Sequence, residues 1–331
     1  MTSSDNPIGM MLHGGTAPGR LSELSKKIEG LGFGSLWLSE DYFFLGGISS
    51  AAIALEATES IGVGIGILSA VVRHPAVTAM EIATLTNAYP DRLFTGIGHG
   101  LPVWTQQMGL YPKSPVRALR QVVESVRNLI AGETLTSSDG LFTFDNVTLT
   151  HPNPGTVPLF TGVIGPKSLE LSGEIADGTI MSVIAAPKYL EYVKEHVAIG
   201  AARSGRDPAQ HRLPTFVIYN VDTDGDAARA AARTGVAFYL WAIGPTAMTE
   251  VYGINEQLAS MIDAGGLDAV TADMPDEWLD LFAISGTPTE CAAQIPQFLD
   301  AGATSLVLAP YPTDDLDRMI ELTASSVLPI L

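Results

Sequence analysis

The sequence predicts an α/β protein, a single (β/α)8 barrel (TIM barrel) spanning residues 1–331, with insertions. Short apolar runs alternate with helical patterns along most of the chain, and eight such units can be counted. Alternating β and α elements form a parallel sheet covered by helices, and eight units are enough to close that sheet into a barrel. Hydrophobic residues make up 46% of the chain and charged residues 16%, a composition typical of one large core.

Four strand–helix units are predicted in the first half of the chain. Their strands are the apolar runs 7–12, 35–39, 62–67 and 92–97. The first helix is predicted from apolar residues at helical spacing between Leu21 and Leu31, ending at Gly32. The second is the alanine-rich segment 49–60, and the third is 75–88, with Pro75 in its first turn. The fourth carries apolar residues along one face from Leu119 to Ile130.

Four further units follow a turn-rich, strand-prone insertion at about 133–156. Their predicted strands are 157–163, 178–183, 213–221 and 304–308, and the helices between them are 167–176, 187–204 and 227–240. A second insertion at about 245–285 carries helical patterns. Thr287-Pro288-Thr289-Glu290 matches a capping box that opens a helix, and Pro296 is expected to kink this helix. The alternative, a doubly wound open sheet, requires a glycine-rich fingerprint after the first strand, and HGGTAPG at 13–19 does not fit it.

Composition excludes several classes of function. The formal charge of −18, from 36 acidic and 18 basic residues, disfavours nucleic-acid and membrane-surface partners. The single cysteine, Cys291, excludes an internal disulfide and is predicted to be a buried, inert thiol. No cluster with metal-ligand spacing and no GxSxG elbow occurs, so neither a metal site nor hydrolysis is indicated. The N-terminus lacks the pattern of a targeting signal and no run could span a bilayer, so a cytoplasmic protein is expected.

Candidate catalytic residues follow two of the predicted strands. Glu40 and Asp41 come directly after the second strand, and crowded carboxylates can raise one pKa into the range of a general acid. A pair of helix N-cap residues is the alternative. His99, at the end of the fourth strand, is a candidate ring contact or proton donor. The substrate pocket is predicted from residues in loops after strand ends, with core packing as the alternative for the aromatic ones: His13, Tyr42, Phe43 and Trp104.

Glycine-rich segments suggest where a cofactor binds. The runs 62–66 and 96–100 lack the following helix start of a dinucleotide motif, so they indicate either close packing or backbone approached by a flat ring. The segment 162–168 follows a strand and opens a helix, where free N–H groups, the helix dipole and Lys167 would attract a phosphate. An ordinary βα loop is the alternative. The segment Arg73-His74-Pro75 is predicted either to grip a phosphate or carboxylate or to cap the next helix.

These residues also resemble a known family. Residues 61–100, IGVGIGILSAVVRHPAVTAMEIATLTNAYPDRLFTGIGHG, are similar to the signature stretch of the luciferase-like monooxygenase superfamily. They are most similar to its branch of F420-dependent methylenetetrahydromethanopterin reductases, and RHPAVTAMEIATL is the part specific to that deazaflavin branch. The segments 30–41 and 157–178 match the same family in the same order.

The resemblance implies coenzyme F420 as the cofactor, with FMN as the alternative, and hydride transfer to or from a small organic substrate. It implies a non-prolyl cis peptide at Gly66–Ile67 behind the cofactor ring, and a possible homodimer. The implied cofactor-binding residues lie in three segments: Gly66, Ile67, Leu68 and Arg73; Gly98, His99 and Gly100; Val163, Ile164, Gly165, Pro166 and Lys167. The chain departs from its relatives at Asp41, where a histidine is usual, and at Met10–Leu12 and Leu101-Pro102, where some relatives have an acid. The relatives' proton relay therefore does not transfer to this chain.

Three other functions remain open. An FMN-dependent monooxygenase would use reduced flavin and oxygen on the same barrel, and the Arg73-His74-Pro75 signature weighs against it. A flavin- or deazaflavin-binding protein without catalysis is compatible with the missing acids. A non-redox barrel enzyme such as an aldolase would need a lysine at a strand end, and none is apparent.

Overall fold

The strands form one parallel sheet and one separate hairpin. A computed structural model of the chain describes residues 6–331; the residues before Asn6, part of the N-terminus predicted to lack a targeting signal, lie outside the described residues. The strands, in chain order, are β1 Ile8–Leu12, β2 Ser35–Leu38, β3 Gly62–Ser69, β4 Leu93–Gly98, β5 Leu135–Ser137, β6 Phe144–Val147, β7 Leu159–Gly162, β8 Gly178–Thr179, β9 Pro214–Val221, β10 Ala283–Gly286 and β11 Ser305–Pro310. The antiparallel pair β5–β6 lies in the segment predicted to be the first insertion.

The parallel sheet curves into a ring. Its strand order is β10-β9-β11-β1-β2-β3-β4-β7-β8. Just beyond β8, Met181 N donates to Pro214 O (2.9 Å) and Phe216 N donates to Met181 O (3.1 Å), which joins this edge to β9. All eight predicted strands are present in the ring, so the predicted barrel is confirmed. A ninth strand, β10, was not predicted from the sequence; it pairs with the end of β9.

Helices cover the outside of the sheet and fill the second insertion. They are α1 Leu21–Gly30, α2 Gly47–Ala57, α3 Pro75–Ala88, α4 Pro102–Gln107, α5 Pro115–Ile130, α6 Pro166–Ile175, α7 Pro187–Ser204, α8 Gly225–Ile243, α9 Ala247–Glu250, α10 Asn255–Asp273, α11 Asp276–Phe282, α12 Pro288–Ala301 and α13 Leu316–Leu322. The predicted capping box at α12 is present, with Thr287 N donating to Glu290 Oε2 (2.7 Å). The helix continues through Pro296. Within residues 6–331, no helix has the length and apolar character needed to cross a bilayer.

Side chains fill the inside of the barrel, and glycines make room for them. The rings of Trp37 and Phe216 meet edge to face with centroids 5.4 Å apart. A Cβ on Gly64 would lie 2.2 Å from Trp37, and one on Gly62 would lie 2.5 Å from Phe94. For these two glycines the structure therefore supports the packing interpretation. On α12, Cys291 is fully buried, and burial raises the pKa of its thiol to about 12.

An ion-pair network closes the end of the barrel where the strands begin. Asp177 accepts hydrogen bonds from Arg127 (2.8 Å), Arg206 (2.6 Å) and the backbone N–H of Leu159 (2.9 Å). The guanidinium of Arg212 lies 4.8 Å from the centre of the Phe160 ring. Functional sites of barrels lie at the opposite end, so this network contributes to the stability of the fold and is separate from the candidate active site.

His211 lies beside this network, and we expect it to lower the free energy of unfolding at acidic pH. Burial and the charge of Arg206 lower the pKa of His211 to about 4, and its Nε2 lies 2.8 Å from Thr179 Oγ1. Between about pH 6.5 and pH 4 the unfolded chain binds a proton here that the folded chain does not, so stability decreases as pH falls through this window, by about 1.4 kcal/mol per unit. Urea denaturation at a series of pH values measures it. H211Q should lose this part of the slope, and an unchanged slope would contradict the assignment.

Candidate active site

The predicted site residues lie at the carboxyl ends of neighbouring strands. His13 follows β1, and Glu40, Asp41 and Tyr42 follow β2. Phe43 follows β2 as well, and Trp104 lies in α4. The others belong to β3, β4 and β7, to the loops directly after them, or to the first turn of α6. Because neighbouring parallel strands end on one face, all of these positions share the mouth of the barrel, where barrel enzymes carry their sites.

A bulge interrupts the pairing of β3 with β4. The register shifts between Ile65 and Leu68, and the Gly66–Ile67 peptide is cis, as the resemblance implied. The side chain of Ile67 packs against three glycines, which we call the glycine seat: Gly96, Gly98 and Gly162. A Cβ on these glycines would lie 2.7, 2.2 and 2.7 Å, respectively, from Ile67 atoms. The three glycines thus leave room for the Ile67 side chain at the mouth of the barrel, and Gly96 also leaves room for Ile180, whose Cδ1 would lie 2.3 Å from an added Cβ.

The loop after β7 opens α6 next to the glycine seat. Gly98 pairs with Gly162, and His99 Nε2 lies 3.0 Å from Ser168 Oγ, so the loops after β4 and β7 are in contact. Gly165 is the N-cap residue of α6 without a side-chain cap, and a Cβ on it would meet nothing within 4 Å. Lys167 is exposed in the first turn. An open, uncapped helix start beside an ammonium group is a suitable site for a phosphate.

Glu40 is held by an arginine, a tyrosine and a backbone N–H. Arg73 donates to both of its oxygens, at 2.7 and 2.6 Å. Tyr42 Oη donates to Oε1 (3.0 Å) and Gly47 N to Oε2 (2.8 Å). The carboxylate is 1% exposed and its hydrogen bond raises the pKa of Arg73. Of the two predictions for Arg73-His74-Pro75, the structure shows both: Arg73 grips a carboxylate, which belongs to the chain itself, and His74 caps α3 by accepting a hydrogen bond from Ala76 N (3.2 Å).

Asp41 has a different environment from Glu40. Burial raises the pKa of Asp41, and the charge of Glu40 acts in the same direction. A hydrogen bond with Ser39 and the charge of His13 act in the opposite direction. A half-buried carboxyl with a raised pKa holds a proton more readily than an ordinary aspartate, so the two adjacent acids are suited to different tasks.

His99 is the third candidate for proton transfer. Burial lowers the pKa of His99, so its ring is neutral at neutral pH. Its position at the end of β4, bonded to Ser168, puts it beside the glycine seat. A neutral imidazole there can donate or accept one hydrogen bond at the edge of a bound ring.

Aromatic side chains form a rim above these groups. Tyr42 and Trp104 meet edge to face at 6.0 Å, and Tyr42 and Phe43 are also 6.0 Å apart. Phe43 is 70% exposed, so core packing does not account for it. These three were predicted together as substrate-pocket residues, and the structure brings them together.

A small cavity opens on the side of the mouth near β1, β9 and β11. It is lined by Met11, His13, Ile218, Tyr239, Ala309, Pro310 and Tyr311. Of these residues, His13 alone was predicted from the sequence as a site residue. Tyr311 follows the last strand directly, so its place at a strand end was a usable signal. Tyr239 lies in the middle of α8, and nothing in the helical pattern indicated that it faces the mouth.

Comparisons with known proteins agree with this geometry. The model of a family described as luciferase-like monooxygenase matches residues 2–305. The chain is 30% identical to a 5,10-methylenetetrahydromethanopterin reductase of Archaeoglobus fulgidus, over 92% of this chain and 94% of the relative. It is 28% identical to an F420-dependent glucose-6-phosphate dehydrogenase of Nakamurella multipartita, over 95% of this chain and 93% of the relative.

The structural comparison points the same way. The coenzyme F420-dependent tetrahydromethanopterin reductase of Methanopyrus kandleri superposes with a TM-score of 0.84 at 26% identity, covering 97% of this chain and 98% of that one. The family match extends over nine-tenths of the sequence and includes every predicted site residue. The chain therefore belongs to the luciferase-like monooxygenase family.

Proposed function

We propose that this protein is an F420-dependent oxidoreductase that transfers a hydride between the deazaflavin and a small organic substrate. The observation that carries the proposal is the continuous arc formed by β3, β4 and β7, in which the seated Ile67 adjoins the uncapped start of α6. Two relatives with different activities match nearly the whole chain: one is named as a 5,10-methylenetetrahydromethanopterin reductase and the other as an F420-dependent glucose-6-phosphate dehydrogenase.

The residues of the arc fit this cofactor. Ile67 and the backbone of Gly66 and Leu68 provide an apolar ledge for a flat ring, and His99 and Gly100 lie at its edge. Residues 163–165 and the first turn of α6 supply N–H donors and Lys167 for the cofactor's phosphate. When bound, F420 supplies a carbon that accepts or gives a hydride; the protein orients the reactants and excludes water.

The two acids then have separate roles. Asp41 holds or releases the proton that accompanies hydride transfer, because burial shifts its pKa toward neutrality. Glu40 remains bound to Arg73 and keeps the loop after β2 in place. His99 contacts the ring edge as a neutral group. Tyr42, Phe43 and Trp104 cover the substrate. The homodimer and the cytoplasmic location stay predictions.

A binding titration tests the proposal. Purified apoprotein is titrated with F420 and with FMN, in oxidised and reduced forms, and fluorescence is followed. We expect tight binding of F420 and weak binding of FMN. The K167A variant should bind F420 about tenfold more weakly, since one charged contact to phosphate is lost. K26A, an exposed lysine on α1, is the matched control. Preference for FMN with oxygen uptake would instead favour the monooxygenase alternative.

A further inference from the structure

The loop between β7 and α6 presents backbone N–H groups that have no partner. Among residues 6–331, the N–H groups of Ile164, Gly165 and Lys167 donate to no oxygen atom of the chain. Pro166 has no N–H, and the Gly165 N-cap has no side chain that could turn back onto the first turn. These N–H groups are the donors that the proposed function assigns to the cofactor's phosphate, so their directions determine how well that phosphate is held.

A tyrosine on the following helix fixes the direction of one of these groups. Tyr189 Oη donates to Ile164 O at 2.6 Å. The Tyr189 side chain is 1% exposed, and burial raises the pKa of its phenol, so the hydroxyl stays protonated and remains a donor. The peptide between Ile164 and Gly165 is trans, and in a planar trans peptide the carbonyl oxygen and the next N–H point in opposite directions. The bond from Tyr189 therefore turns the Gly165 N–H away from α7.

The helix that carries Tyr189 is itself held closely against α6. The backbones of the two helices touch at one glycine from each, Gly173 on α6 and Gly200 on α7. A Cβ on Gly173 would collide with Val197 O, and a Cβ on Gly200 would collide with Glu170 O. Such close packing leaves little room for α7 to slide along α6. The Tyr189 hydroxyl thus extends to the loop from a fixed position in the first turn of α7.

We propose that Tyr189 is a positioning residue of the cofactor's phosphate site, which holds the Gly165 N–H toward the phosphate through its bond to Ile164 O; this rests on the proposed function. Lys167 contributes charge to the same site, whereas Tyr189 acts only through the backbone of the loop. Loss of the Tyr189 hydroxyl should therefore weaken the binding of a ligand that carries the phosphate and leave the binding of the bare ring unchanged.

The test compares two variants that each lose one buried tyrosine hydroxyl. Y189F removes the bond to Ile164 O, and the control Y219F removes a bond on β9 between Tyr219 Oη and Thr323 Oγ1 (2.8 Å). Urea denaturation first establishes that both variants fold. Both variants and wild type are then titrated with F420, with the deazaflavin riboside and with the riboside 5′-phosphate, and fluorescence is followed. The last two ligands differ only in the phosphate.

We expect Y189F to bind F420 and the 5′-phosphate about tenfold more weakly than wild type, because one donor to a charged group is misdirected. The riboside should bind to Y189F and wild type equally, and Y219F should bind all three ligands as wild type does. Wild-type affinity of Y189F for F420 would overturn the assignment. An equal loss for the riboside and its 5′-phosphate would overturn it as well, since that result indicates a general structural effect.

Inorganic phosphate provides a second measurement that does not depend on the ring. At constant ionic strength, phosphate should raise the Tm of wild type and Y219F, and should raise that of Y189F by less. Equal stabilisation of Y189F and wild type would contradict the role of Tyr189. If wild type fails to bind F420 and yet shows this Tyr189-dependent stabilisation, the proposed function is wrong and the phosphate site is retained. If wild type binds neither F420 nor phosphate, both proposals are wrong.

Discussion

The E40Q substitution is expected to lower the free energy of unfolding by about 3 kcal/mol. The side chain of Glu40 accepts hydrogen bonds from four donor groups and is almost fully buried. A glutamine would bring an NH2 group against donors of Arg73, Tyr42 or Gly47, so at least one contact becomes donor against donor. This loss of about 3 kcal/mol is at the low end of the range for a broken buried ion pair, because the Arg73 side chain is 24% exposed. Guanidinium chloride denaturation measures it.

Glu81 provides the control for this prediction. Its Oε2 lies 3.7 Å from Nε of the same Arg73, yet it is a buried oxygen without a hydrogen-bond partner among residues 6–331. The E81Q variant makes the same chemical change beside the same arginine and should cost less than about 1 kcal/mol. If E40Q and E81Q cost the same, the loop after β2 does not depend on the Glu40–Arg73 pair.

The G162A substitution is expected to displace Ile67 and to weaken F420 binding at least tenfold. The added Cβ would lie 2.7 Å from Ile67 Cγ2 and 2.9 Å from Cδ1, too close for any real contact. Relieving such a clash costs about 1–3 kcal/mol of stability and moves the ledge for the ring. Denaturation and the F420 titration measure the two effects.

Three companion variants show whether Ile67 is the cause. The obstacle in G162A is a side chain, so the I67A change should relieve it, and a double-mutant cycle should give a favourable coupling energy. In G98A the Cβ would also lie 2.4 Å from the backbone oxygen of Gly162, so I67A should not rescue that variant. G165A, with open space around its Cβ, should cost no more than about 1 kcal/mol, the usual loss when alanine replaces a favoured N-cap residue. Additive effects of G162A and I67A on stability would show that the clash with Ile67 is not what destabilises G162A.

The sequence contained enough information for the ring of strands. Each barrel strand is an apolar run followed by a helix with clear start signals, and periodicity reports both. It did not contain enough for β10, because Ala283–Gly286 is four residues long and follows α11 without a turn signal. Its pairing with the end of β9 depends on tertiary position, which periodicity does not encode.

The site could be predicted as a set of positions and not as a set of contacts. Glu40 and Arg73 were separate candidates, but the pairing of Leu38 with Ile65 makes the ends of β2 and β3 neighbours and brings the two side chains together. Tyr239 could not be found in this way, since a helix residue reaches the mouth only through the packing of α8 on the barrel. Strand-end residues are accessible to sequence analysis, and helix residues that turn toward the mouth are not.

The buried thiol of α12 makes the native chain a convenient starting point for site-specific labelling. Cys291 is the single cysteine, is 0% exposed and has a pKa of about 12, so thiol-reactive dyes should leave it unmodified at neutral pH. A cysteine introduced at an exposed position, such as Trp241 on α8, would then react alone, with no other residue replaced. A fluorophore there would report movements of α8 at the mouth of the barrel while substrate enters and leaves.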